Sequence, residues 1–339
     1  MEGVFMSATT SSTIRTAEFV SPKHPDKLCD QISDAILDAC LEADPDSRVA
    51  IETAGGHGKL FLTGEITSNA KPDYQQIVAD IAGGAELITS ISEQSPEISH
   101  GVDDGGAGDQ GVMIGYATSE TPQLLPLEYV LAYQLNQALY QRWPHDGKTQ
   151  ITLNRNGEIT TTVASFQHAP GDELEAAVHD WADEQSLAPI AKQLRIHANP
   201  AGDWDVGGFE ADAGLTGRKL VVDNYGPQIP VGGGCFSGKD PSKVDRSAAY
   251  MARKIAVDYL QAEQADEVLV RLAYAIGYDQ PVEATATIDG VQQEVSGYDL
   301  SPNGIIEFLD LKRPIYRQTA RGGHFTNADF AWNQPAATA

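Results

Sequence analysis

Apolar and polar positions alternate over short runs along much of the chain. Period-two alternation or β-branched content predicts strands over 48–53, 59–67, 150–153, 159–165 and 219–223. A helical period takes over after two prolines. Behind Pro25, Leu28, Ile32, Ile36 and Ala39 or Cys40 share one face; behind Pro241, Val244, Ala248, Met251, Ile255 and Tyr259 do the same. Each is expected to start with its proline at the first helical position, where a missing N–H costs nothing. Weaker patterns predict helices over 126–140 and 172–185. Asp30, Asp34 and Asp38 recur at four-residue steps and read as a solvated acidic face. The elements alternate without regular βαβ spacing, which favours α+β over a doubly wound sheet.

Composition narrows the class. With 339 residues, 41% of them apolar, the chain is globular and long enough for two or three domains. It carries 23 Lys and Arg against 48 Asp and Glu, a formal charge of −25. Nucleic acid and anionic membrane are therefore excluded as bulk partners by repulsion. No apolar run approaches the ~20 residues of a membrane span. The first 15 residues lack the basic and apolar regions of a secretory signal, so a cytoplasmic location is expected. Cys29, Cys40 and Cys235 form no CxxC pair, and no HExxH occurs.

Two glycine-rich loops, 101–111 and 232–239, read either as ligand cradles or as surface turns. The second nearly matches a P-loop, with Gly233, Gly238 and Lys239, but Asp240-Pro241 stands where Ser or Thr should hold magnesium. That excludes a P-loop NTPase while leaving a phosphate cradle in play. Asp240 is read as the N-cap of the helix that follows. From 218 to 254, seven basic residues face only three acids. Lys239, Lys243 and Arg246 suit a polyphosphate, whereas Arg253 and Lys254 fit a solvated helix face. A carboxylate amid phosphate-binding lysines makes sense as a magnesium ligand, which singles out Asp245 and, after His24-Pro25, Asp26.

These motifs together resemble the S-adenosylmethionine synthetase family. Ser21–Lys27 with Cys29–Ala35 looks like its first signature, 106–111 (GAGDQG) like its central hexapeptide, and 232–247 like its glycine-rich nonapeptide and following helix. Residues 214–219 (GLTGRK) and 322–325 (GGHF) also fit, and the match runs from about Glu18 to Trp332. The resemblance implies an α+β fold of three intertwined, similar two-layer units in a pseudo-threefold arrangement. Discontinuous boundaries are expected: 1–22 with 120–207, 23–100 with 208–245, and 101–119 with 246–339. It also implies a homodimer with active sites at the interface, or such dimers paired into a tetramer.

The implied reaction is attack of the methionine sulfur on C5′ of ATP, then hydrolysis of the released triphosphate. By resemblance, His24 stabilises the departing O5′, and Lys148, Arg218, Lys219, Lys239 and Lys243 contact phosphates. Asp26 and Asp245 hold two Mg²⁺ ions, and Glu52 helps hold K⁺. Glu65, Gln94, Asp109, Asp212 and Ile276 form the L-methionine pocket, and Trp204 stacks on adenine. Three departures stand out. Pro22-Lys23 replaces a usual Glu-Gly, adding a cation expected near the triphosphate; 72–106 is shortened; and Asp203-Trp204-Asp205 is unusually acidic. Two alternatives remain at this stage: a member with altered methionine-analogue or nucleotide specificity, and an inactive regulatory homologue.

Overall fold

A computed structural model of the chain describes residues 13–93 and 105–335. The chain runs β1 (Arg15–Val20), α1 (Pro25–Ala43), β2 (Arg48–Gly56), β3 (Lys59–Thr67), α2 (Tyr74–Ala82), β4 (Glu86–Ser92) and β5 (Gly111–Thr118). Then follow α3 (Leu127–Arg142), β6 (Gly147–Leu153), β7 (Ile159–Phe166), α4 (Gly171–Glu184), β8 (Ile190–Ala198) and β9 (Gly214–Leu215). The rest comprises α5 (Leu220–Asp223), α6 (Val244–Ala262), β10 (Glu267–Tyr274), β11 (Glu283–Ile288), β12 (Val291–Glu294), α7 (Pro302–Phe308) and α8 (Tyr316–Gly322).

The strands form three four-stranded sheets, ordered β1-β6-β7-β8, β4-β3-β2-β9 and β12-β11-β10-β5. Each has one face covered by helices: α3 and α4 on the first, α1 on the second, α6 on the third. The alternation in the sequence explains why only one face is apolar. On β2, Val49, Ile51 and Thr53 are buried under α1, while Glu52 between them is exposed. On β3, Leu60 and Leu62 point inward, and Phe61 and Glu65 lie on the open side. The α+β class and three-unit architecture are as expected.

The units are intertwined through β2. Residues 214–215 pair with Ala54 and Gly55, and the glycine-loop residues 238–240 run antiparallel along the same strand. Ile51 N donates to Gly238 O at 3.0 Å and Asp240 N to Val49 O at 3.0 Å. Gly238 has φ +82°, and a Cβ there would lie 1.9 Å from Ile51 O, so only glycine allows this approach. Two segments distant in sequence, 214–216 and 238–240, are thus laid end to end along one strand, at the heads of the 214–219 and 238–245 runs.

Several local expectations are corrected. Residues 219–223 form a helical turn, α5, not a strand. The β-branched Val221-Val222 pair suggests extension, but the turn lets the Asp223 side chain reach Lys27. The helix expected from Pro241 starts at Val244 with Lys243 as its N-cap residue. Asp240 instead accepts from Val49 N at 2.7 Å and Ser242 N at 2.8 Å, fastening the loop to β2. The acidic face of α1 is not solvated. Sheet, α2 and α8 enclose this helix, leaving Asp30 and Asp34 with no exposure. Asp34 pairs with Arg246; Asp30 accepts from Gly217 N; Asp38 accepts from Tyr316 N and Arg317 N at the start of α8. Arg253 and Lys254 are buried too. Arg253 donates to the carbonyls of Tyr116, Gln123 and Leu124, and Lys254 pairs with Asp258.

Candidate active site

The candidate residues gather into two clusters on the β2 edge. The first surrounds the start of α1. His24 is its N-cap residue, and its Nδ1 accepts from Asp26 N at 3.2 Å, which assigns the ring proton of the neutral form to Nε2. Burial, then the charges of Lys219 and Lys148, push the His24 pKa down to about 3. The imidazole is therefore neutral and offers one N–H donor. The Asp26 carboxylate, 1% exposed, accepts from Leu215 N at 2.9 Å and Lys219 Nζ at 2.6 Å, with Arg218 Nε at 3.5 Å. Burial acts upward on its pKa, but the Lys219 and Leu215 hydrogen bonds prevail and hold it below the usual carboxylate value. Lys148 on β6 and Asp212 in the loop before β9 are exposed and close enough to act on His24.

A second layer holds this cluster in register. Lys27, next to Asp26, is buried and reaches Asp223 at 2.5 Å and Asp30 at 3.0 Å. Consecutive residues of α1 thus bind the two ends of one helical turn with opposite polarity, Asp26 to Lys219 and Lys27 to Asp223. Burial raises Asp223 to about 7, with Lys27 opposing the rise.

The second cluster forms around the glycine loop. Lys239 Nζ contacts Asp245 Oδ2 at 2.6 Å. Asp245 lies against Gly234, where a Cβ would come within 2.3 Å of its carboxylate, so a larger residue would displace the carboxylate. Asp109 and Cys235 both act electrostatically on Lys239, and Glu52 acts on Cys235. Burial pushes the Cys235 thiol up to about 11, so it is no nucleophile at neutral pH. Gly217, from the segment of the first cluster, abuts Cys235, joining the two clusters through the loop.

Other expected residues fall less tightly. Lys243 pairs with Asp240, the residue that fastens the loop to β2. Glu65 is half-buried on the open face of β3, opposite Ala50 and Ser92. Ile276 is 55% exposed, and the turn after it is tied by Gly277 and Tyr278 to Ala107, two residues from Asp109. Among the described residues, no hydrogen bond or ion pair joins Glu65, Asp109, Asp212 and Ile276 to one another. Gln94 lies outside the described residues. Trp204 is half-buried, and its Nε1 donates to Asn199 at 3.2 Å. Lys23 turns its ammonium onto Ile81 O at 3.1 Å, in the last turn of α2, a helix end that attracts cations. It does not join either phosphate-side cluster. Sequence reasoning missed Asp146, a buried carboxylate raised by burial that accepts from Gly208 N at 3.0 Å. Its signal was its place two residues before Lys148. Asp146, Lys23 and Phe209 line a cavity of about 480 Å³ beside the His24 turn.

Comparison with known proteins places these residues in a family. The chain matches the S-adenosylmethionine synthetase N-terminal domain over residues 12–96, the central domain over 104–204 and the C-terminal domain over 206–334. It is 42% identical to an S-adenosylmethionine synthase of Treponema denticola, covering 94% of this chain and 95% of that protein. The S-adenosylmethionine synthase of Clostridium tetani is 42% identical with the same coverage. S-adenosylmethionine synthase 1 of Frankia casuarinae is 41% identical, with 96% of each chain covered. The first alignment spans 369 residues, more than this chain's 339, so that relative carries residues lacking here.

Proposed function

The chain belongs to the S-adenosylmethionine synthetase family and is a methionine adenosyltransferase, and from that premise we propose how its residues divide the work. The reaction converts ATP, L-methionine and water to S-adenosylmethionine, phosphate and pyrophosphate. The methionine thioether attacks C5′ with a lone pair and has no proton to lose, so no general base is required. The difficulty is the negative charge that grows on the triphosphate as the C5′–O5′ bond breaks.

The observation that carries the assignment is the pairing of a carboxylate with lysine in each cluster, Asp26 with Lys219 and Asp245 with Lys239. His24 presents its Nε2–H to O5′, a neutral donor fixed by the Asp26 amide. Lys148, Arg218, Lys219, Lys239 and Lys243 neutralise the phosphates. Glu65, Gln94, Asp109, Asp212 and Ile276 receive methionine, with carboxylates suited to its ammonium and to the product sulfonium. Trp204 stacks on adenine.

Asp26 and Asp245 fit magnesium. Among the described residues no group of three or more His, Cys, Asp or Glu could enclose a metal. Single carboxylates beside phosphate-binding lysines suit an ion that completes its shell with water and substrate oxygens. Held by Asp26 and Asp245, magnesium would supply positive charge against the negative charge growing on the triphosphate. Glu52 holds K⁺.

The active form is a homodimer, or two such dimers paired into a tetramer, acting in the cytoplasm. Glu52 and Glu65 stand on the helix-free face of their sheet, which also carries the exposed apolar Phe61 and Ile88, neighbours across β3 and β4, and Lys148 is exposed on the β6 sheet. A second copy closing those faces would complete each site. On this reading the three units are 1–22 with 120–207, 23–100 with 208–245, and 101–119 with 246–339. Among the described residues no helix is long and apolar enough to cross a membrane.

The test is a product assay by mass spectrometry with ATP, L-methionine, Mg²⁺ and K⁺. The sulfonium product is expected from the wild-type chain and not from Asp26→Asn. No product from the wild type would refute the assignment.

A further inference from the structure

We propose that Lys219 and Lys239 are resident counter-ions of the metal-binding carboxylates, so that metal and triphosphate enter the site by one exchange of partners and not independently. The inference rests on the assignment of Asp26 and Asp245 as metal ligands given above. Those two carboxylates come from different helices and different ends of the chain. Each is nonetheless met at 2.6 Å by a lysine assigned to phosphate. Both pairs are largely enclosed, with side-chain exposures of 14% and 1% for Lys219 and Asp26 and 22% and 12% for Lys239 and Asp245.

A lysine ammonium and a divalent cation compete for the same carboxylate oxygens. Metal arriving alone displaces the lysine and leaves its enclosed charge without a carboxylate partner. Triphosphate arriving alone draws the lysine away and leaves Asp245 without its ammonium and the more deeply buried Asp26 with only Leu215 N and the more distant Arg218. Either half-exchange strands a charge out of water, which is costly. The complete exchange leaves every charge paired: carboxylate with metal, metal with phosphate, lysine with phosphate. Coupling of this kind is reciprocal, since each ligand raises the affinity of the other by the same factor. Lys243 behaves differently because its partner Asp240 is fixed by two backbone amides to the β2 edge and is not a metal candidate.

Isothermal titration tests this with Mg²⁺ alone, and with the non-hydrolysable analogue adenylyl imidodiphosphate in chelator. Lys219→Met and Lys239→Met should each bind Mg²⁺ alone about tenfold or more tighter than wild type, because a carboxylate is freed from a charged hydrogen bond. Each should bind the metal-free analogue about tenfold weaker. Lys148→Met and Lys243→Met remove the same charge without freeing either carboxylate, so their Mg²⁺ affinity should shift by less than about threefold. Thermal unfolding confirms that each variant is folded, and the two pairs are independent tests. Unchanged or weaker Mg²⁺ binding in the Lys219 and Lys239 variants overturns the exchange. Equal gains in the Lys148 and Lys243 controls also overturn it, since the effect would then be general electrostatics. A wild-type chain that binds neither Mg²⁺ nor the magnesium-analogue complex would overturn the metal assignment beneath it.

Discussion

The cations of the Lys239–Asp245 and Arg246–Asp34 ion pairs come from one short segment, yet the pairs are constructed differently. The Arg246 guanidinium is fully buried and donates to both Asp34 oxygens, at 2.6 and 2.8 Å, and to Tyr250, Thr319 and the Lys239 carbonyl. It also lies 4.2 Å from the centre of the Tyr316 ring. Among the described residues, the Lys239 ammonium has Asp245 as its one hydrogen-bonded side chain, and it retains access to water. Residue type does not separate the two; the number of partners and the access of water do. A saturated pair fixes the loop, and a pair with spare valence can change partners when a ligand arrives.

The largest test of this contrast is Arg246→Met. It leaves Asp34 buried, with Gly238 N as a remaining donor, and should cost about 3–5 kcal/mol in denaturant unfolding. A loss under about 1 kcal/mol would mean that the pair is not the anchor its geometry indicates. Lys239→Met should do the reverse. Synthesis should fall about 10²–10³-fold, as when one preorganised donor is removed from a developing anion. Its unfolding free energy should fall by only about 1–2 kcal/mol, because the Asp245 carboxylate it leaves keeps some access to water. If stability collapsed instead, the distinction between anchoring and exchangeable pairs would fail.

This contrast also marks what the sequence could convey. The α+β class, strands β2, β3, β6 and β7, and helices α1, α3 and α4 follow from periodicity, because each of these elements has one covered face; the three-unit architecture follows from the family resemblance. The residue types at the site follow from motifs, because a leaving triphosphate needs cations and metal wherever they are placed. Partnership does not follow. Asp34 and Arg246 are more than two hundred positions apart, and an acidic residue every fourth position looks the same whether it meets water or a guanidinium. Arg253 misleads similarly, since beyond Asn333 its partners are backbone carbonyls, which every residue has. The extended reading of 219–223 weighed Val221 and Val222 but had no access to the buried Lys27 that draws Asp223 inward. Lys23 illustrates the same limit at the site itself: its charge was legible, but the α2 carbonyl that takes it was not.

Asp38 supplies the smallest and most graded test. It lies on the same helix as Asp34 but accepts two backbone amides, from Tyr316 and Arg317, where Asp34 has a guanidinium. Neutral donors compensate a buried charge less than a cation does. Burial accordingly raises the Asp38 pKa from 3.8 to about 6, with the two amides opposing. The sign follows from linkage. The folded chain holds this proton more tightly than the unfolded chain, so Asp38 favours folding below about pH 4. That contribution is lost as the pH rises through about 6. Asp38→Asn keeps a carbonyl acceptor for one of the two amides and removes the charge. Between pH 4 and pH 7, the wild type should therefore lose about 1–2 kcal/mol of stability relative to this variant, allowing for partial screening of a half-buried group. Urea unfolding of both proteins at pH 4, 5.5 and 7 measures the gap, and titrations common to the two cancel in the difference. A gap that stays constant would show that two amides serve Asp38 as fully as water does, and the ranking of partners from guanidinium to amide would have to be abandoned.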